Sequence, residues 1–391
     1  MTPNNSSRGL EKTTLSLGQC PLPTKHGEFV VHFFRDLARD RIAMAIVRGD
    51  LSGRSPLLVR VHSSCLTSEC LSGLDCDCAE QLEGALAMMA REGEGILFYL
   101  MQEGRGAGLT AKARDRMIVQ ASGNQKTTFE AYAEMGLPGD LRRYDVLAPM
   151  SRLLGLRAPV RLLTNNPDKA AAVTKAFAEE GIDVCRMERI VGPTSPFNRD
   201  YLVAKHDSGH AYTRPSSMLA AKPPVDVRVI APFVLPGEGH RVLTASYYLP
   251  IALSVASGSD PDVEWFRVSV VFDGERAQEW VLISHRNSSE VGVEVKIDGE
   301  EEDEAGEART HAVVITMSLL DRLPSRSAVG RLALREALLD IRRAGQGAVT
   351  VCFDDRHCAN EGLIAAIDSG DRPKHPPTAR TREGSGPRAK R

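Results

Sequence analysis

Apolar positions along the chain follow two rhythms. Short runs such as ILFYL (96–100) and VRLLT (160–164) are apolar almost throughout, the pattern of strands buried on both faces. AEQLEGALAMMAREG (79–93) instead spaces its apolar residues three and four apart, which predicts an amphipathic helix. From Pro21 to about Asp207 the two patterns alternate, as in an α/β domain. Within it, LLTNNPDKAAAV (162–173) predicts a strand, a tight turn and a helix, with Asn166 as cap and Pro167 in the first turn.

The rhythm changes after residue 207. SGHAYTRPSSMLAAKPP (208–224) reads as a linker. From Val225 to Gly370 the segments EWFRVSVVF (264–272), EWVLISH (279–285) and VGVEVKI (291–297) alternate as strands do. The acidic run DGEEEDEAGE (298–307) predicts a solvated loop, VGRLALREALLDIRRAG (329–345) a helix, and AVTVCF (348–353) a strand. This second region is expected to be a smaller α+β domain. Residues 1–20 and the Pro- and Gly-rich tail 371–391 are expected to be disordered.

Composition narrows the class without choosing a function. The 391 residues are 42% hydrophobic and 26% charged, a soluble globular balance. No run of 18 apolar residues exists to span a membrane, and the N-terminus has no apolar core of a signal peptide, so a cytoplasmic location is expected. The net charge is −2, although the tail carries seven Lys/Arg against two Asp/Glu. A nucleic-acid module would interleave aromatic with basic residues, which the tail does not, so no such partner is expected.

The cysteines carry the candidate chemistry. Four of eight fall in SSCLTSECLSGLDCDCAEQL (63–82). In a reducing compartment clustered thiols are metal ligands or catalytic groups more often than disulfides. Cys65, Cys76 and Cys78 stand as C-x10-C-x-C. Three thiolates would leave one tetrahedral position of a zinc ion for water, as in a catalytic site; Cys70 as a fourth ligand would make it structural. Spacing alone leaves both open. Nearby, VRVHSS (59–64) brings Arg60 and His62, and QEGRGAGL (102–109) combines Arg105 with glycines that let backbone N–H groups approach an anion. Thr164 and Lys169 would sit by a helix N-terminus suited to phosphate. Cys352, His357 and Cys358 form a weaker second cluster, more often incidental than a metal site.

Taken in order, LPTKHGEF (22–29), RVHSSCLTSECLSGLDCDCAEQL (60–82), QEGRGAGL (102–109), DLRRY (140–144), LLTNNPDK (162–169) and IVGP (190–193) resemble the GTP cyclohydrolase II family over residues 21–206. The resemblance implies a three-layer α/β fold with a mixed sheet, and a homodimer. It implies opening of the imidazole ring of GTP with release of formate and pyrophosphate, the first committed step to riboflavin. It implies zinc on Cys65, Cys76 and Cys78, and Mg2+ with the triphosphate. Arg142 is then the nucleophile that takes up the guanylyl group, and Asp140 the proton acceptor. Substrate contacts map to Arg60, Val61, His62, Ser63, Ser64, Gln81, Glu103, Gly104, Arg105, Arg116, Thr128, Thr164 and Lys169.

The chain departs from the family pattern at several of these motifs. Ser64 precedes the first zinc cysteine where the family has Glu. Gly106 and Ala107 alter the glycine loop, Tyr132 replaces Asn, and Arg143 replaces Asp. Arg116 stands where the family carries a tyrosine implicated in completing the reaction after ring opening. That predicts an alternative outcome, a formamidopyrimidine nucleotide that keeps its formyl group and feeds a specialised biosynthetic route. A protein that binds the nucleotide without turnover is the remaining reading; the intact cysteine triad, Asp140, Arg142 and Lys169 favour an enzyme.

Overall fold

The structure is a computed structural model that describes residues 13–53, 56–215, 217–235, 239–254, 261–285, 312–326 and 328–353. The strand expected at 291–297, the acidic loop at 298–307, His357, Cys358 and the basic tail lie outside the described residues.

Among the described residues the first sheet has seven strands, β1 (Thr14–Thr24), β2 (Gly27–Asp36), β3 (Arg41–Arg48), β4 (Leu57–Ser63), β5 (Gly95–Leu100), β6 (Val160–Leu163) and β7 (Val184–Glu188), in the order β1-β2-β3-β5-β4-β6-β7. β1, β2, β3 and β5 pair antiparallel; β5, β4, β6 and β7 run parallel. Residues 14–20, expected in a disordered terminus, form the first part of β1, paired with β2 from Thr14↔Asp36 onward. Their polar character is that of an edge strand with one face in water, which a search for apolar runs passes over.

Helices cover both faces of this sheet. α5 (Leu147–Leu154) and α6 (Pro167–Ala178) pack Met150, Val173 and Phe177 against Val59, Val61 and Phe98. On the opposite face α2 (Cys78–Glu92) lays Leu82, Leu86 and Met89 on Leu58, Leu97 and Tyr99. The alternation along β4 decides the site. Leu57, Val59 and Val61 face α5 and α6, so Arg60 and His62 share the other face with Leu58, toward α2.

The second sheet comprises β8 (Phe233–Val234), β9 (Arg241–Ser254), β10 (Asp262–Asp273), β11 (Gln278–His285), β12 (Ala312–Met317) and β13 (Ala348–Phe353), ordered β12-β13-β11-β10-β9-β8. It is antiparallel except for the pair β12–β13. α8 (Val329–Ala344) contributes Leu334, Leu338 and Ile341 to its core. That core is not closed by the C-terminal residues alone. Leu109, Ala113 and Met117 of α3 (Leu109–Ala121) lie in the same apolar cluster as Leu249, Ile251, Phe266 and Val268. Gln120 locks the contact, donating to the Tyr248 carbonyl at 2.6 Å and accepting from its N–H at 2.9 Å. No helix among the described residues is long and apolar enough to cross a membrane.

Candidate active site

β4, β5 and β6 are adjacent and parallel, so their C-terminal ends open on one crevice, where an α/β sheet offers ligands a place. Three loops leave there: 64–77 after β4, 101–108 after β5, and 164–166 after β6.

The first loop folds Cys65 back onto Cys76 and Cys78. The three sulfurs lie within 4.8 Å of one another. Cys65 and Cys76 are 3.6 Å apart. Tetrahedral zinc with bonds of about 2.3 Å sets its sulfurs roughly 3.8 Å apart, so the donor set fits that metal. Cys70 does not join them. Its sulfur turns to the Asp321 carbonyl at 3.9 Å, and burial pushes its thiol up to about 12. The Cys65 thiol is held well below its usual range by hydrogen bonds from Cys76 and Cys78, helped by the Lys112 ammonium 3.0 Å away. Lys112 also pairs with Glu103 at 2.9 Å, and Glu103 accepts the Leu66 N–H at 2.7 Å. The glycine loop and the thiol loop are thereby tied together.

Cations meet beside the cluster. Arg60 donates to the Leu163 carbonyl at 2.9 Å and to Gln81 Oε1 at 2.6 Å. The Lys169 N–H is capped by Asn166 Oδ1 at 3.1 Å, and Lys169 Nζ reaches the Val61 carbonyl at 3.2 Å. Burial, with Arg142 and Arg60 close by, holds the Lys169 ammonium well below its ordinary pKa. Positive charge gathered where it is poorly solvated is relieved by an anion. His62 Nε2 lies 2.7 Å from Glu69 Oε1, whose other oxygen accepts from Tyr99 at 2.5 Å. Burial lowers the His62 pKa despite that carboxylate. Its Nδ1 is buried without a partner among the described residues, as is the hydroxyl of Ser63.

The remaining predicted residues line the outer side. Arg105, at φ 55°, stacks 4.0 Å from the Phe129 ring centre. The Gly104 carbonyl accepts from Tyr132 at 2.8 Å. Thr128 is turned to Asp115 Oδ2 at 2.8 Å. Arg142 Nε donates to Asp140 Oδ1 at 2.9 Å; burial works against both charges, but the pair raises the Arg142 pKa and lowers that of Asp140. Ser64 is buried, and Thr164 Oγ1 accepts from the Asn166 N–H at 3.2 Å.

A family model described as GTP cyclohydrolase II matches residues 15–188. The GTP cyclohydrolase-2 proteins of Escherichia coli strains HS and K12/DH10B are each 42% identical to this chain over 195 residues, 50% of it and 95% of the relative. The chain belongs to the GTP cyclohydrolase II family. It is a hydrolase of that family. Among solved structures, RibBX, a two-domain 3,4-dihydroxy-2-butanone 4-phosphate synthase from A. baumannii, is similar at 16% identity and a TM-score of 0.25, over 48% of each chain, too slight a likeness to bear on the fold.

In this GTP cyclohydrolase II family member, sequence reasoning missed the back wall of the site. Asp77, between two of the thiols, is fully buried. It accepts from Lys205 at 2.8 Å, Gln81 at 2.7 Å and Tyr212 at 3.0 Å. Burial works to raise its pKa, but those partners, Lys205 foremost, hold it low. Lys205 lies on α7 (Arg199–Asp207), so that helix and Tyr212 close the crevice from behind. The alternating charges of NRDYLVAKHD (198–207) look like any solvated helix face; only the position of α7 distinguishes them.

Arg116 is likewise built in. Its Nε is 2.9 Å from Asp75 Oδ2, and its guanidinium lies 4.8 Å from the Tyr201 ring centre. Burial opposes its charge, and Asp75 and Asp115 hold its pKa high.

Proposed function

We propose that this chain opens the imidazole ring of GTP in a zinc-dependent hydrolysis that releases pyrophosphate and formate, leaving 2,5-diamino-6-ribosylamino-pyrimidinone 5'-phosphate for riboflavin synthesis. The observation that carries the reading is the convergence of three thiols with Arg60, Lys169 and Arg142 at the ends of adjacent parallel strands. The names of the relatives support GTP as substrate. Zinc held by Cys65, Cys76 and Cys78 would supply the Lewis acidity that makes water nucleophilic near neutral pH. Arg60 and Lys169 would neutralise the phosphates, together with Mg2+. Lys112 favours thiolate at Cys65. Attack by Arg142 would require loss of a guanidinium proton, which its pairing with Asp140 opposes in the free protein; on this reading the proton passes to Asp140, its hydrogen-bond partner, once substrate is bound. His62 Nδ1 and Ser63 are left to orient the base, while Gln81 holds Arg60 against Asp77. The same reading makes the protein a cytoplasmic homodimer.

Arg116 supports a second outcome, in which the formyl group stays on the product. Its pairing with Asp75 gives the site a fixed cation where the family has a phenol. Tyr201 supports the complete reaction, because its phenol ring lies 4.8 Å from the Arg116 guanidinium. Mass spectrometry of products from zinc-loaded protein with GTP and Mg2+ tests both. A deformylated diaminopyrimidine nucleotide with free formate supports the first outcome, a nucleotide retaining the formyl mass the second, and unchanged GTP overturns the activity.

A further inference from the structure

The residues between Cys65 and Cys76 belong to the matched family segment, but they rest on a part of the chain outside it. The Leu74 N–H donates to the Pro250 carbonyl at 2.9 Å, and the Ala252 N–H donates to the Ser72 carbonyl at 3.1 Å. Gly73 pairs with Ile251 as an isolated antiparallel bridge. Residues 72–74 therefore lie along β9 as a short added strand. The approach is close: a Cβ on Gly73 would stand 2.8 Å from Leu249 Cδ1 and 2.7 Å from the Thr67 carbonyl oxygen. Leu66, Cys70 and Leu71 are buried in the same cluster as Leu249 and Ile251. Ser72 sits at φ 58°, a conformation costly for a residue other than glycine, and the pairing with β9 holds it there.

We propose that β9 of the second sheet is a positioning element for the metal loop, setting the distance between Cys65 and the Cys76/Cys78 pair and so the retention of the metal. The proposal rests on the reading that these three thiols hold zinc. Ten residues separate the first ligand from the second. A free loop of that length must be ordered each time the metal binds, and it lets one thiolate leave without the others. Anchored on a buried strand, the loop is ordered beforehand, and departure of Cys65 or Cys76 would require parting Gly73 from Ile251. This gives the second sheet a role in the chemistry although it places no side chain among the three thiols.

The test uses the full zinc-loaded chain. Zinc transfer to a chromogenic chelator is timed for the parent, Leu249→Ala, Leu249→Met and Gly73→Ala, and Co2+-substituted samples are compared by their sulfur-to-metal charge-transfer and ligand-field bands. Leu249→Ala removes the apolar wall behind Gly73, whereas Gly73→Ala sets a methyl against both Leu249 and the loop's own Thr67 carbonyl. Both should release zinc about 10-fold faster or more, the scale of losing a group that orients metal ligands, and both should shift the Co2+ bands. Leu249→Met, which keeps the volume, should restore parent behaviour. Equal release rates and unchanged Co2+ bands in variants that still melt cooperatively would overturn the proposal. If Leu249→Ala fails to fold, the smaller truncation Leu249→Val takes its place and decides. A parent that binds no zinc would instead defeat the reading on which the proposal rests.

Discussion

The two sheets spend buried polarity in opposite ways. Around the crevice of the first, Arg60, His62, Asp77, Lys112, Lys169 and Lys205 are all buried, and their partners are other buried charges, carbonyls or thiols. The face of the second that meets α3 is built from Ala245, Tyr247, Leu249, Ile251, Phe266, Val268 and Val270. The second sheet also buries a pair, Arg241 and Asp273 at 3.6 Å, while others, such as Arg342–Asp262 at 2.7 Å, lie at the surface. Buried charge costs stability unless fully paired, so a concentration of it marks where chemistry is done. The apolar sheet is the half that holds that arrangement still. Since α3 carries Lys112 and Arg116 on the stripe beside that of Leu109, Ala113 and Met117, the same helix is site and foundation at once.

Removing a thiol should break the first half most completely. Cys76→Ser is expected to abolish stoichiometric zinc binding and turnover together, read by metal analysis and by nucleotide product; a variant that keeps its zinc and turns over would remove the cluster from the mechanism. Next comes the back wall. Lys205→Met strands a fully buried carboxylate, and breaking such a pair costs about 3–5 kcal/mol. Urea unfolding should show that loss. In the apolar half, Leu338→Ala opens a hole under α8 and should cost about 2–5 kcal/mol, while turnover per folded, zinc-loaded molecule stays at the parent value. A matching fall in turnover would mean that the support extends further through the second sheet than β9.

Much of this was legible in the sequence. The apolar runs of β5 and β6, the helix at α2 and the Asn166–Pro167 start of α6 stand within a residue or two of where periodicity and capping chemistry put them. The thiol spacing pointed to the cluster because ligand geometry is local. What stayed hidden depends on distant pairing. β1 is polar because it is an edge, β9 carries Pro250 in its interior, which argues against a strand, and Asp77–Lys205 joins residues 128 apart. The shared core around α3 is invisible for the same reason: its apolar residues read as facing their own domain, whereas they face the next.

A smaller effect should separate the halves by pH. His210, near Lys205, Arg105, Arg142 and Lys169, is lowered to about 4, by burial first and by those cations next. Its unfolded value is about 6.5, so the unfolded chain takes up the proton first. The contribution of neutral His210 is present above pH 6.5 and is lost as pH falls through 4. His210→Asn should therefore flatten the acid limb of a stability-against-pH curve over that window. An unchanged limb would mean that neither burial nor the cations of the crevice act on this ring.

The smallest effect is the sharpest control. Arg342 Nη1 meets both oxygens of Asp262, at 2.8 and 2.7 Å, geometry as good as that of Lys205 on Asp77 at 2.8 Å. If distance set the strength of an ion pair, the two would cost the same to break. The pairs differ in solvent: Arg342 and Asp262 keep 33% and 45% of their side-chain exposure, Lys205 and Asp77 11% and 0%. Water screens the first pair and solvates either partner once it is alone, so Arg342→Ala should cost less than about 1 kcal/mol. Measured beside Lys205→Met under the same urea conditions, equal losses would show that burial is not what sets the crevice apart from the second sheet. A several-fold difference would show that its charges are held by their surroundings rather than by their spacing.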